Sequence, residues 1–402
     1  MSLYDKASLV QIPSGTKDGT LYSVLPANGD GDFTHTRASS ATRVNKDGLI
    51  ESVASGVPRL DYPLIDGVVQ DCPALLLEPS RTNYLRYSED LSQSNWVKTN
   101  AGTGVAPTVT ANYAISPDGS QNASRVQFDL NGGTTISDRS RLYQDAGTGT
   151  SGSQAYSVYV KSNDTSTHTI VFRALGGSLF EKTVTTEWQR ISIDATDNSF
   201  YFELGLYGDS ATADTADILV WGAQMEEGSY PTSYIPTTGS SVSRSADVCN
   251  GAGTTAEFND SESGFFVEIE GFEDGNTNRY ILITDGAGSP YTNTIGILYR
   301  NDGQLRVLHN GLDFSDAICI VDVDQTVNHK IAVRYKENDM AVYIDGVSQT
   351  IRTSFVYQTV SGLDQLKFSQ PNNTSNAFYG KVKQVIVFNE ALTDAELATL
   401  TS

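Results

Sequence analysis

The sequence predicts an all-β protein: two tandem antiparallel β-sandwiches after an extended N-terminal arm. Three observations carry this prediction. Short runs rich in Val, Ile, Thr, Tyr and Phe recur about every ten residues, the spacing of sandwich strands. Gly (35 of 402 residues) and Tyr (20) are abundant, whereas apolar positions at helical spacing are scarce. Turn signals such as Asn301-Asp302-Gly303 and Asp345-Gly346 separate the runs. Hydrophobic residues make up 39% of the chain, enough for ordinary cores, and the length suits two or three domains.

Residues 1–70 read as the arm. Their turn chemistry (Asn28–Asp32, Lys46-Asp47-Gly48, Asp66-Gly67) outweighs strand periodicity, with short hairpins around Leu21–Leu25 and Gly48–Val53. Residues 71–247 open on the Pro-bounded apolar run Cys72–Pro79. Strand candidates then follow at Ala123–Phe128, Arg139–Tyr143, Tyr156–Lys161, Thr169–Ala174, Trp188–Ile193, Phe200–Leu206 and Ile218–Gln224, spaced as in a jelly roll. Residues 229–246, rich in Pro, Ser and Thr, read as a linker. Residues 248–402 carry strand candidates from Gly264–Gly271 to Val382–Phe388. One helix closes the chain, signalled by the capping box Thr393-Asp394-Ala395-Glu396 and by Leu392, Leu397 and Leu400.

The net charge is −21. Residues 1–70 hold 8 acidic against 6 basic side chains, 71–247 hold 20 against 11, and 248–402 hold 20 against 10. Both large segments repel a phosphate backbone, so nucleic acid is not an expected partner. Cys72, Cys249 and Cys319 are odd in number and far apart, which argues against a disulfide framework or a zinc site. No apolar run approaches the ~20 residues of a membrane span, so no membrane insertion is expected. Met1–Lys6 has no signal-peptide character, and synthesis in a bacterial host cytoplasm is expected.

Three segments resemble known families. Thr36–Asn45, Gly48–Glu51 and Pro58–Tyr62, continued by Ala74–Pro79, Arg81-Thr82-Asn83, Tyr87–Asp90 and Trp96, resemble a segment common in tail and virion proteins of tailed bacteriophages. Residues 84–228 resemble a carbohydrate-binding-module jelly roll through Glu187–Arg190 and Ile218–Glu226. Residues 262–402 resemble the laminin-G and concanavalin-A-like sandwich through His329–Val333, Val342–Gly346 and Val385–Leu392. The resemblance implies a structural virion protein, a tail fibre or fibre-like appendage at the virion surface, whose lectin-like domains bind a host-surface glycan. For a fibre it also implies a homo-oligomer, a trimer. The alternatives are a head decoration or cement protein without a receptor, and a polysaccharide-degrading enzyme on the concanavalin-like domain. Residues 1–70 have too few periodic apolar residues for a core of their own, so they are expected to order against other virion proteins.

Trp96, Trp188 and Tyr207 are candidates for stacking on a sugar, because the C–H groups of a pyranose face pack on aromatic rings. Burial in a sandwich core is the competing role. Asp30 and Asp32 lie in a loop that starts like a calcium loop. Phe33 and Ser39 stand where an EF-hand needs Gly and Glu, so a turn is the plainer reading. The module resemblance implies a structural calcium near Asp217. Glu268 and Glu270, with Glu273 nearby, share a strand face about 6–7 Å apart, as paired glycosidase carboxylates do. Ile269 stands where that family's pattern has an aspartate. The four histidines are scattered, and no catalytic motif of the His-Glu-x-x-His or Gly-x-Ser-x-Gly kind exists. No catalytic residue is assigned and no enzyme activity is expected.

Overall fold

The structure is a computed structural model. It describes residues 2–17, 19–65, 68–147, 152–174, 178–195, 201–272, 277–288, 292–309, 319–352, 360–372 and 374–402. Glu273, Phe200 and the Asp66-Gly67 turn lie outside these residues.

Residues 96–227 form a sandwich of two five-stranded antiparallel sheets. Its eight central strands are Ala123–Asp129, Arg139–Asp145, Gln154–Ser162, His168–Ala174, Phe180–Val184, Gln189–Ala195, Tyr201–Tyr207 and Thr215–Glu227. In one sheet they run first, eighth, third, sixth; in the other, second, seventh, fourth, fifth. This is the alternation of a jelly roll. Trp96–Ala101 and Val105–Ala114 extend the two sheets at one edge. Period-2 alternation selects the core: Leu142, Phe172, Phe202, Leu204 and Leu206 from one sheet meet Val126, Phe128, Tyr156, Val158, Ile218 and Val220 from the other.

The second sandwich has a sheet of eight strands facing one of nine. Glu262–Gly271, His329–Lys336 and Gly380–Phe388 lie at the centre of the first; Arg279–Thr284 and Thr294–Tyr299 lie in the second. All-β architecture in two antiparallel sandwiches is as expected.

The N-terminal arm is corrected. Ala7–Gln11 and Ala74–Leu77 both pair with Gly380–Phe388, with Leu9 opposite Val387 and Leu75 opposite Val382. Arg59–Asp61 continues that sheet beside Ala74–Leu77, and Phe33–Thr36 pairs with Val248–Ala252 in the other. Leu9, Leu21, Phe33, Leu60, Leu75 and Leu77 enter the same core as Phe265, Val267, Ile283 and Val385. Each such burial is worth roughly 1.5–3 kcal/mol as an upper estimate. The segment thus finds its core, and partners for its backbone, inside its own chain. The premise for docking it on other virion proteins falls.

Residues 229–246 are likewise no free linker. Tyr230, Thr232, Tyr234, Ile235, Thr237 and Arg244 are buried, and Val242–Arg244 pairs with Arg81–Asn83. The closing helix, Asp394–Thr401, has the expected capping box. Glu396 N donates to Thr393 Oγ1 at 3.3 Å, and Thr393 N donates to Glu396 Oε2 at 2.8 Å. Its Leu397, with Leu392, covers Phe266, Ile386 and Phe388 on the outer face of the eight-stranded sheet.

Candidate functional site

The two outer faces of the jelly roll have different fates. On the sheet containing Thr215–Glu227, Trp221 packs with Ile50, Ala123 and Tyr234, so this face is closed by the N-terminal hairpin and the connector. Gly222, at φ +66°, lies where the register between this strand and Gln154–Ser162 shifts, and a side chain there would crowd Tyr159 and Tyr234. Trp188 lies at the rim of this junction, half-buried, its Nε1 donating to the Ile115 carbonyl.

The other sheet presents a polar face. Strand alternation places Arg139, Arg141, Tyr143 and Asp145 outward from one strand, Tyr201, Glu203, Gly205 and Tyr207 from its neighbour, and Arg173 from the next. Register puts Arg139 opposite Tyr207, Tyr143 opposite Glu203, and Arg173 opposite Glu203 from the far side. Direct neighbours of this kind have Cβ atoms about 4.5–5.5 Å apart. Tyr207 hydroxyl donates to Glu203 Oε1 and accepts from Arg173 Nη1 at 3.3 Å, while the Arg139 guanidinium lies 5.1 Å from the centre of the Tyr207 ring. Burial, then the Glu203 bond, pushes the Tyr207 hydroxyl above its ordinary pKa. Tyr143 and Tyr201 lie side by side at the edge, ring centres 5.6 Å apart.

Glu203 is fully enclosed at the centre, and its Oε2 accepts no hydrogen bond. Arg141 Nη1 approaches that oxygen only to 3.6 Å, an ion pair too long for a hydrogen bond. Arg141 Nε and Arg173 Nε are also sealed from solvent without an acceptor. Unpaired Nε atoms also occur on other enclosed arginines, Arg59 and Arg244 among them, so what distinguishes this cluster is a carboxylate oxygen, Glu203 Oε2, without a donor.

Of the expected stacking residues, only Tyr207 belongs to this cluster, and it is 1% exposed. Trp96 lies beneath the sheet, 1% exposed, edge-on to Phe202 at 5.5 Å with Nε1 donating to the Tyr87 carbonyl. Its ring is core, which leaves no face for a sugar. Arg139, Arg141, Arg173 and Glu203 were not among the expected site residues, although the alternation Arg139-Ser140-Arg141-Leu142-Tyr143 already puts the first two on one face.

The charged residues of the N-terminal motif meet at the junction of the sandwiches. Arg59 Nη1 donates to Glu78 Oε2 at 2.6 Å and to Ser233 Oγ at 2.7 Å, while its Nη2 donates to Asp247. Asp247 also accepts from Arg37 Nη1 at 2.9 Å, His35 Nε2 at 3.1 Å and the Glu78 backbone N–H at 2.9 Å. Arg244 Nη1 lies 2.8 Å from Glu78 Oε2. Burial alone would raise the pKa of Glu78, but Arg244 and Arg59 more than reverse this and hold it at about 2. Beside this cluster is a cleft of about 180 Å³ lined by Arg43, Asp61, Tyr159, Arg190, Phe272 and Lys381, among others.

No described group of three or more His, Cys, Asp or Glu side chains is placed to hold a metal. Arg125 chelates both oxygens of Asp217, Asp32 accepts from Ser23, and Asp30 accepts from Asn28. A cation at Asp217 would have to displace Arg125, so the residues there do not fit the calcium implied by the resemblance. Glu268 and Glu270 do share the outer face of their strand, Glu268 3.6 Å from Lys383 and Glu270 3.5 Å from Lys381. Phe266 lies on that same outer face, under the closing helix. His168 lies beside Asp164 and His329 beside Asp345, each in a local pair.

Residues 266–398, a third of the chain, match the family described as the concanavalin A-like lectin/glucanases superfamily. Among solved structures, the chain is similar to the CBM40 of the Ruminococcus gnavus IT-sialidase bound to alpha2,3 sialyllactose. That likeness has 12% identity and a TM-score of 0.32 and covers 38% of this chain and 94% of that one. It is similar to domain 4 of an extracellular GH43 arabinanase from Geobacillus stearothermophilus in complex with arabinotriose, at 13% identity and TM-score 0.30, covering 39% and 73%. A third likeness is to the heptameric SAP-like pentraxin of Limulus polyphemus, at 16% identity and TM-score 0.28, covering 35% and 70%. No curated protein matches the sequence.

Proposed function

We propose that this chain is a non-enzymatic adhesive component of a tailed-phage virion, of the tail-fibre type, which binds a surface glycan on the open face of its jelly roll. The observation that carries the binding reading is Glu203: an enclosed carboxylate with one unbonded oxygen, ringed by Arg141, Arg173 and Tyr207, on the jelly-roll face opposite the one that the N-terminal hairpin closes. Sugar hydroxyls donate and accept at once, which is what Glu203 and its neighbouring guanidiniums need. The half-buried Tyr143 and Tyr201 add ring surface for a pyranose face. The concanavalin A-like family match at 266–398 supports a lectin-like role for the second sandwich.

The virion placement rests on the motif segment of residues 36–96. Its Arg37, Arg59 and Glu78 converge on the junction, a physical reason for such residues to recur together. The lysine partners of Glu268 and Glu270 favour a solvated outer face over an acid–nucleophile pair.

The test is a glycan array and host-cell binding assay with the full chain and Glu203→Gln. Binding that the variant weakens is expected. Absence of any glycan or cell binding would favour a purely structural decoration role. Release of reducing ends from host polysaccharide, abolished by Glu268→Gln, would overturn the non-enzymatic reading.

A further inference from the structure

We infer that the cleft at the junction of the two sandwiches is a second saccharide site, which takes one uncharged sugar ring with neighbouring hydroxyls. This goes beyond the reading above: it stands on other residues than the Glu203 cluster and does not depend on them.

The cleft lies where the outer face of the eight-stranded sheet meets the jelly-roll face that carries Trp221. Leu76 is opposite Lys381, and Ala74, two residues from Leu76, is opposite Asp61, so Asp61, Leu76 and Lys381 share the first face. Tyr159 and Arg190 are opposite one another on the second. Phe272 also lines the cleft, half-buried, with its ring stacked on Tyr230 at 5.1 Å between centres. The volume of about 180 Å³ is well below the roughly 300–1,000 Å³ of pockets for larger ligands, so the cleft suits a single ring.

Three polar groups on this lining lack partners and remain open to the cleft. Asp61 is only 8% exposed, and its Oδ1 accepts from the Val44 backbone N–H at 2.8 Å. Among the described residues nothing donates to its Oδ2, yet that oxygen is not sealed as Glu203 Oε2 is. Burial raises the pKa of this carboxyl, and the Val44 bond only partly offsets the effect. The Tyr159 hydroxyl is also unbonded and unsealed. Burial raises its pKa first, but the charges of Arg190, Asp61 and Glu78 all reach it, so these groups surround one space. Arg190 donates from Nη2 to Ser157 Oγ at 2.8 Å and lies 5.4 Å from the centre of the Tyr159 ring; its Nη1 meets no acceptor and is not sealed.

The charges around the cleft cancel. Arg43 is bonded to Glu51, Lys381 lies beside Glu270, and Lys383 beside Glu268. Behind the lining, Arg37, Arg59 and Arg244 answer Glu78, Asp247 and Glu226. Lys161 and Asp194, one of each sign, lie farther along the jelly-roll face. Arg190 and Asp61 are left, again one of each sign, and neither has an ion-pair partner among the described residues. An ammonium group in the cleft meets Arg190 and Lys381, and a carboxylate or phosphate meets Asp61 and Glu78, so either charge is opposed at close range. A hydroxyl donates and accepts at once. One hydroxyl donates to Asp61 Oδ2, its neighbour accepts from Arg190 Nη1, and the Tyr159 hydroxyl bonds to either. The C–H face of the ring packs on Phe272.

The experiment is titration of the full chain, followed by nuclear magnetic resonance of the ligand, with the methyl glycosides of glucose, galactose, mannose and N-acetylglucosamine. Glucuronate and glucosamine are the charged counterparts. At least one neutral glycoside should bind with about millimolar affinity, as suits one ring. Asp61→Asn keeps an acceptor for the Val44 N–H and removes the charge; Arg190→Gln removes the open Nη1. Each should weaken binding by about tenfold or more, the loss of one charge-assisted bond. If either variant lowers the melting temperature, Phe272→Ala carries the test, because that side chain makes no hydrogen bond; a loss of about threefold or more is expected. No binding by any neutral glycoside, or binding that these variants leave unchanged, would overturn the site. Glucuronate or glucosamine binding tenfold more tightly than the neutral rings would overturn the uncharged assignment. Binding lost in Glu203→Gln and kept in Asp61→Asn would move the sugar to the polar outer face, overturning this inference and upholding the reading above. A neutral ring held through Asp61, with array binding indifferent to Glu203→Gln, would uphold this inference and overturn that reading.

Discussion

Arg59 and Asp247 meet across 188 residues of sequence, the guanidinium donating to the carboxylate with both side chains fully enclosed. Arg59 comes from a strand of the concanavalin-like sandwich and Asp247 from the end of the connector leaving the jelly roll. Arg37, Arg244, Glu78 and His35 complete the cluster. A buried ion pair adds little over a well-packed apolar substitute, but removing one partner strands the others without water. Asp247→Ala should therefore destabilise the chain by about 3–5 kcal/mol. Urea denaturation checks this, and a loss below about 1 kcal/mol would mean that water or rearranged side chains replace the carboxylate.

Acid should act on the same cluster. Glu78 is held at about 2 in the folded chain against an ordinary 4.5. A depressed carboxylate contributes its stability fully above its unfolded pKa and loses it as pH falls through the folded one. The Glu78 contribution, on the order of 3 kcal/mol, should be intact above pH 4.5 and fade toward pH 2. Unfolding free energies measured across that window should show the loss, and Glu78→Gln should flatten it. An unchanged slope in the variant would place the acid sensitivity elsewhere.

What could be read from the sequence divides by range. Strands such as Arg279–Thr284, Thr294–Tyr299 and Met340–Ile344 fall where their alternation and turns put them, and Thr393 and Glu396 marked the closing helix. These signals are local. The pairing of Leu9 with Val387 is not, and Ser8-Leu9-Val10 is too short a run to declare itself a strand. Arg37, Arg59 and Glu78 were recognisable as a motif, but only folding shows that they share one cluster with Asp247 and Arg244. The polar outer face of the jelly roll was half legible. Alternation could have aligned Arg139 and Arg141, and Glu203 and Tyr207, but which strands lie side by side is set by the jelly-roll crossing. Attention to tryptophans pointed instead at Trp96, which the core absorbs.

Deleting residues 1–70 should unfold the concanavalin-like sandwich. The deletion removes the Ala7–Gln11 pairing with Gly380–Phe388 and takes Leu9, Leu21, Phe33 and Leu60 from the core. Among the described residues, the jelly-roll core draws on none before Leu85. Trp96, Trp188 and Trp221 all lie in the jelly roll, so their fluorescence should still report a cooperative transition. Far-UV circular dichroism should show lost sheet signal. A 71–402 fragment with full sheet content and a single native-like transition would restore the N-terminal segment to the role of an independent arm.

The closing helix ties the two chain ends together, and this link can be tested at one residue. Lys6 Nζ lies 2.8 Å from Glu396 Oε1, and Glu396 Oε2 accepts from both the backbone N–H and the hydroxyl of Thr393. The Lys6 bond first, then the Thr393 backbone bond, holds the Glu396 carboxyl at about 2. Thr393→Ala removes the hydroxyl that accepts from Glu396 N, leaving an unsatisfied donor at the helix start. The expected loss is about 0.5–2 kcal/mol, typical of an N-cap. Because the Lys6 contact and the backbone bond remain, the Glu396 pKa should rise only part of the way toward its ordinary 4.5. Lys6→Ala should raise it further, since that removes the largest stabilising contact. Carboxyl titration by nuclear magnetic resonance separates the two effects. Equal pKa values in wild type and Lys6→Ala would show that the helix cap alone depresses Glu396 and that the N-terminal segment is held by its strand pairing without help from this ion pair.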